Sequence, residues 1–134
     1  MGKLLVGYDG SEGARKAVDR ALSMMKEGDE IVLIFVVPHT KLEEFAGFDP
    51  GVTEDKAREE LKKVTGPLLE QGVSITGIVK KGSVADEIIR LGSELECDLI
   101  VVGSYGLSKV GTFALGNVAE AVAKKSTRPV LLVR

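Results

Sequence analysis

Five short apolar runs alternate with four stretches of helical periodicity, and this alternation constrains the fold of the 134-residue chain more than any other feature. The runs are Leu4 to Tyr8, Ile31 to Val37, Ser74 to Lys80, Leu99 to Val102 and Pro129 to Val133. Ile31 to Val37 is apolar throughout, which is typical of a strand buried on both faces of a parallel sheet. The pattern predicts one α/β domain over residues 1–134, with an open five-stranded, mostly parallel sheet, right-handed crossovers and helices on both faces.

Capping and breaking residues predict the limits of the helices. The helices are predicted to begin at Ser11, near Thr53, near Val84 and near residue 113, and three of them to end near Gly28, Glu96 and residue 125. Ser83 is the expected N-cap of the third helix, and Gly66-Pro67 is expected to kink or interrupt the second. Residues 39–52 show no periodicity, so they are predicted to form a long loop with the potential to act as a lid.

The overall composition argues against several classes of protein. The chain is 44% hydrophobic and 28% charged, and its net charge of −2 comes from intermixed signs, so nothing points to nucleic acid. No run approaches the roughly eighteen apolar residues of a membrane span, and a cytoplasmic protein is expected. His39 is the only histidine and Cys97 the only cysteine, which argues against a His-based triad, a zinc site and an internal disulfide. Cys97 is interpreted as a small core residue.

The stretch GSYGLSKVGTFALGN, residues 103–117, joins the fourth strand to the last helix and is rich in glycine. Its glycines at 103, 106, 111 and 116 would let a phosphate approach backbone N–H groups, where the following helix adds partial positive charge. Three aliphatic hydroxyls and one cation lie in the same stretch, on Ser104, Ser108, Thr112 and Lys109. Glycine richness alone is equally compatible with turn and packing geometry, and neither GxxxxGK[ST] nor GxGxxG is present.

Ligands of open α/β sheets bind outside the carboxyl ends of the strands, where the winding direction reverses. Asp9 follows the first strand, Val36 lies near the end of the second, and Gly103 follows the fourth. One crevice collects all three residues if the first and fourth strands are neighbours. The residues alone do not determine the strand order.

Several segments together resemble the universal stress protein family. Gly103, Gly106 and Gly116 match the spacing of that family's nucleotide motif GxxGx9G[ST]. This chain differs from the motif at the final position, where Asn117 stands in place of Ser or Thr. VGYDGSEGARKAVDRAL looks like the family's first strand and helix, and KGSVADEII looks like the entrance of its third helix. CDLIVVGSYG and RPVLLVR look like its fourth and fifth strands. The resemblance covers essentially the whole chain.

This resemblance implies the strand order 3-2-1-4-5, a Rossmann-like arrangement in which the first and fourth strands are neighbours, and it implies ATP as the ligand. Asp9 and Val36 match positions that contact the nucleoside end, and the three motif glycines match ribose and phosphate contacts. Asn117 can donate through its amide but offers no hydroxyl to Mg²⁺, so metal participation is less secure than phosphate binding.

The expected function is that of an ATP-binding, homodimeric module that responds to nucleotide state in a stress response. Val130 to Val133 forms a short apolar run at a predicted sheet edge and is the expected dimer contact. No general base or activated nucleophile is evident, so binding is expected to dominate and any ATP hydrolysis to be slow. A nucleotide-free interaction module and an enzyme whose substrate lies over residues 39–52 remain open alternatives.

Overall fold

Strands and helices alternate along the described residues of the computed structural model, which are 2–38, 53–104 and 116–134. The strands are β1 Lys3–Gly7, β2 Glu30–Val37, β3 Ile75–Lys81, β4 Leu99–Gly103 and β5 Val130–Val133, and the helices are α1 Glu12–Met24, α2 Glu54–Glu70, α3 Val84–Glu94 and α4 Asn117–Lys125. This order confirms the predicted alternation. The expectations for His39, for a loop at 39–52 and for a helix start near 113 lie outside the described residues.

The sheet has the order β3-β2-β1-β4-β5, and every neighbouring pair is parallel. Val6 in β1 lies at its centre, opposite Leu33 of β2 on one side and Val101 of β4 on the other. The chain winds outward from β1 to β3 in one direction and from β4 to β5 in the other. The implied strand order is therefore confirmed, and the reversal lies between β1 and β4.

Helices cover both faces of the sheet, as predicted, because successive strand residues point to opposite sides. Leu4 and Val6 pack with Ala17 of α1 and Leu61 of α2 on one face. Leu5 packs on the other face in a cluster that includes buried side chains of α3 and α4. Among the described residues, no helix combines the length and the apolar character needed to cross a bilayer.

The second helix continues through Gly66-Pro67, so the predicted interruption is wrong. Pro67 lies inside α2, four residues from its first non-helical position at Gln71. The proline removes the one amide that would donate to the Lys63 carbonyl, but the last turn after it still closes, because the Gln71 amide donates to the Pro67 and Leu68 carbonyls at 3.2 and 3.1 Å. The buried stripe of Ala57, Leu61 and Thr65 holds the preceding turns against the sheet, which favours continuing the helix.

The third helix ends two residues earlier than predicted, at Glu94. Glu96 adopts the left-handed conformation with a φ of 52°, its amide donates to the Ser93 carbonyl, and the Cys97 amide donates to the Gly92 carbonyl at 2.9 Å. These two bonds form a Schellman motif, which terminates a helix. Cys97 is fully buried there, as expected of a core residue, and burial raises the pKa of its thiol.

Candidate functional site

The carboxyl ends of β1 and β4 lie side by side, because the two strands pair in parallel with Leu4 opposite Leu99 and Val6 opposite Val101. The first turn of α1 follows β1 at this end. The start of α4 lies there too, since the Gly116 amide donates to the Ser104 carbonyl at 2.7 Å just beyond β4. The site is thus built at the reversal of the winding, where open α/β sheets bind their ligands.

Asp9 is exposed and occupies the turn between β1 and α1. Its Oδ1 accepts a hydrogen bond from the Ser11 amide at 2.9 Å, and the Ser11 hydroxyl in turn accepts from the Ala14 amide at 3.2 Å. These bonds satisfy donors at the start of α1, where an uncapped helix would leave them free. The carboxylate of Asp9 is therefore held in place at the crevice while its second oxygen has no partner among the described residues.

Gly103 brings the end of β4 against the first turn of α1. A Cβ at this position would lie 2.7 Å from the carbonyl oxygen of Gly13 and 2.8 Å from its carbonyl carbon. Both contacts are with backbone, so no side-chain rotation could relieve them. The packing of α1 on β4 therefore requires glycine at position 103, where Gly13 of α1 lies directly opposite.

Val36 contributes its backbone to the crevice rather than its side chain, which is buried. The Ile34 carbonyl accepts from the Tyr8 amide at 2.9 Å, so the Ile34 peptide groups face β1. Because strand residues alternate with a period of two, the peptide groups of Val36 face the same side, beyond Gly7, where β1 ends. These peptide groups therefore lie at the crevice and make no ladder bond with β1.

Ser104 is the most unusual residue of this end. Its side chain is only 3% exposed, and its Oγ has no hydrogen-bond partner within the described parts of the chain. Both of its backbone groups are bonded, the amide to the Val133 carbonyl at 2.8 Å and the carbonyl to the Gly116 amide at 2.7 Å. A buried hydroxyl without a partner costs about 1–3 kcal/mol, which makes this atom a candidate for a hydrogen bond with a ligand.

The start of α4 lacks a side-chain cap, because Gly116 is the N-cap. The first helical bond runs from the Glu120 amide to the Gly116 carbonyl, so the amides of Asn117, Val118 and Ala119 have no acceptor among the described residues. Asn117 is exposed at the first helical position. The amide of Gly116 is already bonded to Ser104, so the donors that could meet an anion are the next three amides and the Asn117 side chain.

A charged pair on α2 lies near the turn after β1. Glu60 Oε2 is 3.9 Å from the position of a Cβ on Gly10, and Glu60 Oε1 accepts from Lys63 Nζ at 3.0 Å. The hydrogen bond that Lys63 donates to Glu60 is the main reason that the pKa of Lys63 is raised. The two side chains of this pair thus compensate each other's charge beside the turn after β1.

The site offers donors for an anion and no cluster of metal ligands. Within residues 2–38, 53–104 and 116–134, no three His, Cys, Asp or Glu side chains are grouped to hold a metal ion. The orphaned Ser104 hydroxyl and the uncapped start of α4 instead suit the oxygen atoms of a phosphate. The arrangement can bind and orient such a group, and the described residues around it present no general base.

The structure brings together five of the six residues predicted for the site. Asp9, Val36, Gly103, Gly116 and Asn117 all lie at the carboxyl ends of the strands, whereas Gly106 lies outside the described residues. Sequence reasoning missed Gly13, whose contact with Gly103 requires the tertiary structure. It included Ser104 only as one of several hydroxyls, because its burial cannot be read from the motif.

The comparisons with known proteins agree with this architecture. The model of the universal stress protein family matches residues 1–134. The chain belongs to that family. Universal stress protein YxiE of Bacillus subtilis is 35% identical over 146 residues, which cover 98% of each protein.

Solved structures of universal stress proteins share the fold along nearly the whole length. The structure of MJ0577 of Methanocaldococcus jannaschii superposes with a TM-score of 0.84 at 28% identity, covering 98% of this chain and 94% of that one. A universal stress protein in complex with cAMP gives a TM-score of 0.74 at 25% identity, covering 99% of this chain and 97% of that one.

Proposed function

We propose that this universal stress protein binds ATP at the carboxyl ends of β1 and β4 and acts as a cytoplasmic, nucleotide-responsive homodimer in a stress response. The main observation in favour of a nucleotide is the buried hydroxyl of Ser104, which has no partner in the described part of the chain and lies beside the start of α4, where Gly116 provides no side-chain cap. Family membership and the cAMP complex of a structural relative support the same class of ligand.

The proposed contacts divide between the two ends of a nucleotide. Asp9 and the peptide groups of Val36, which face the space beyond the end of β1, take the nucleoside end. The Ser104 hydroxyl and the amides that open α4 take phosphate oxygens. Gly103 and Gly116 let the chain approach the ligand closely, and Gly106 belongs to the proposal through the spacing of the motif. Asn117 donates through its amide and supplies no hydroxyl to Mg²⁺.

The decisive experiment places a negative charge at the start of α4 without changing side-chain shape. Asn117→Asp puts a carboxylate at an exposed first helical position, where it does not weaken the helix but repels a phosphate. We expect the affinity for ATP, measured by calorimetry with and without Mg²⁺, to fall at least about tenfold while the thermal midpoint is maintained.

Ser83→Asp provides the matched control for this test. Ser83 is the N-cap of α3, another helix start at the same end of the sheet whose cap makes no side-chain hydrogen bond, but it follows β3. The same charge change there should leave ATP affinity nearly unaltered. Equal losses in both variants would indicate a general charge effect. Absence of binding of ATP, AMP and cAMP to the unmodified protein would favour a nucleotide-free interaction module.

The proposed homodimer uses the outer edge of β5. All four residues of Val130–Val133 are half-buried, whereas β2 is buried along nearly its whole length. The Pro129 and Val133 carbonyls accept bonds from Ile100 in β4 and from Ser104 just beyond it, so the peptide groups of Val130 and Leu132 face outward and pair with no other strand of the described residues. Sedimentation equilibrium should give a dimer mass, and Leu132→Pro, which removes one outward amide, should shift it toward the monomer.

A further inference from the structure

Ser104 connects three parts of the molecule that the proposed function treats separately. Its amide donates to the carbonyl of Val133 in β5 at 2.8 Å, and its carbonyl accepts from the amide of Gly116 at 2.7 Å. Its hydroxyl is buried and has no partner within the described residues. One residue therefore bonds to the sheet edge and to the start of α4, and its hydroxyl is the proposed contact with the ligand.

The bond from Ser104, just beyond β4, to Val133 is the last one that β5 accepts at the site end of the sheet. At the other end the Ile100 amide donates to the Pro129 carbonyl at 2.9 Å, so β5 is held to β4 between these two points. The strand is short, half-buried and at an edge. A four-residue edge strand depends strongly on each such bond, because it has neither a second neighbouring strand nor a fully buried side chain.

We infer that Ser104 is a positioning residue through which occupation of the site stabilises the outer edge of β5. A ligand oxygen that bonds with Ser104 Oγ satisfies the one unpaired group of this residue and restricts its motion. The two backbone bonds of Ser104 then pass that restriction to Val133 and to Gly116. The inference rests on the proposed nucleotide binding and adds to it a route from the site to the proposed dimer edge.

Thermodynamic linkage makes the consequence reciprocal. If a bound nucleotide favours the ordered form of β5, a second subunit paired with β5 must favour nucleotide binding by the same factor. The coupling between the two sites then depends on the hydrogen bond of the Ser104 hydroxyl with the ligand, and occupancy of the site is not sufficient for it. Removing that hydroxyl while keeping the backbone should therefore uncouple the two sites.

Hydrogen exchange tests this directly with ATP as the probe. The amides to follow are those of Ser104, Leu131 and Val133, which face the β4–β5 ladder. At high occupancy, established by calorimetry on the same sample, ATP should slow their exchange by about fivefold or more in the unmodified protein. Ser104→Ala, compared at equal occupancy, should lose this slowing, and Ser104→Thr should restore it.

Asn117→Asp is the matched control, because it weakens binding without touching Ser104. At equal occupancy it should slow exchange in β5 as the unmodified protein does. Binding to the unmodified protein without slower exchange overturns the inference and leaves the proposed function standing. Slowing that persists in Ser104→Ala, or loss of all binding in that variant, also overturns it. Absence of ATP binding to the unmodified protein, seen by calorimetry alone, removes both proposals.

Discussion

At the amino end of the sheet two carboxylates are bonded to the backbone around them, whereas at the carboxyl end a buried hydroxyl has no partner among the described residues. Asp29 accepts from the amides of Gly2 and Lys26 at 2.7 and 2.9 Å, and Asp98 accepts from the amide of Lys3 at 2.8 Å. Ser104 has no such partner for its hydroxyl. The chain thus satisfies its own polar groups at one end and leaves donors available at the other, which is why the carboxyl end is the candidate site.

The largest expected effect comes from the glycine contact at the carboxyl end. Gly103→Ala would place a Cβ 2.7 Å from the Gly13 carbonyl oxygen, and only movement of α1 against β4 could relieve it. We expect a loss of about 3 kcal/mol in the free energy of unfolding, measured by urea denaturation.

Gly92→Ala is the control for this prediction. Its Cβ would meet Ile100 Cδ1 at 2.8 Å, the movable tip of a side chain. Because alanine also gains helix propensity in α3, the net loss should not exceed about 1 kcal/mol. Similar losses in the two variants would show that α1 moves away from β4 at little cost. That result would contradict the close backbone contact between Gly13 and Gly103.

The next effect concerns the amino end and depends on pH. The backbone bonds from Lys26 and Gly2 lower the pKa of Asp29 below its ordinary value of 3.8. A carboxyl with a lower pKa in the folded state adds stability above its unfolded pKa, and this stability is lost as the pH falls through the folded pKa. Asp29→Ala should therefore lower the free energy of unfolding at pH 7. The difference between the variant and the unmodified protein should shrink progressively as the pH falls below about 4.

Asp19→Ala serves as the control for the pH series. Asp19 is exposed on α1 and accepts no hydrogen bond from the described residues. Its removal should leave the urea midpoint close to that of the unmodified protein from pH 7 to about pH 3. A constant deficit of Asp29→Ala across that range would contradict the assignment of the two bonds to the ionised carboxylate.

The third prediction is a change in thermal midpoint that has opposite signs at the two ends of the sheet. Ser104→Ala removes a buried hydroxyl that has no partner, so the ligand-free protein should gain about 1 kcal/mol, or roughly 3–5 °C in its thermal midpoint. Asp98→Ala removes the acceptor of the Lys3 amide and should lower the midpoint. If both variants lose stability, the Ser104 hydroxyl is satisfied within the free protein, and the contrast between the two ends fails.

Sequence reasoning reached the fold and the position of the site for physical reasons that can be named. Continuous apolar runs such as Ile31 to Val37 report burial on both faces, and turn residues such as Asp9-Gly10 mark the strand ends. Strand order came from the family resemblance, because pairing between β1 and β4 joins residues about ninety apart and leaves no local pattern. The Gly13–Gly103 contact and the isolation of the Ser104 hydroxyl depend on packing, which composition and spacing do not encode.

The smallest expected effect tests whether charge beside α4 acts on binding rather than on stability. Glu120 accepts from Lys124 at 2.8 Å, and this hydrogen bond lowers the pKa of Glu120. Lys124→Met should raise that pKa toward 4.5, followed by NMR titration of the carboxyl, with almost no change in midpoint because both groups are exposed.

In the same variant the uncompensated charge of Glu120 lies one turn from the amides that open α4. ATP affinity should fall by about twofold to threefold at low ionic strength, and this loss should vanish in about 0.5 M salt. Lys3→Met breaks the comparable pair with Glu30 at the amino end, where N and O are 3.3 Å apart, and should leave ATP affinity unchanged. An equal loss in both variants would mean that net charge sets the affinity. It would contradict the placement of the ligand site at the carboxyl end of the sheet.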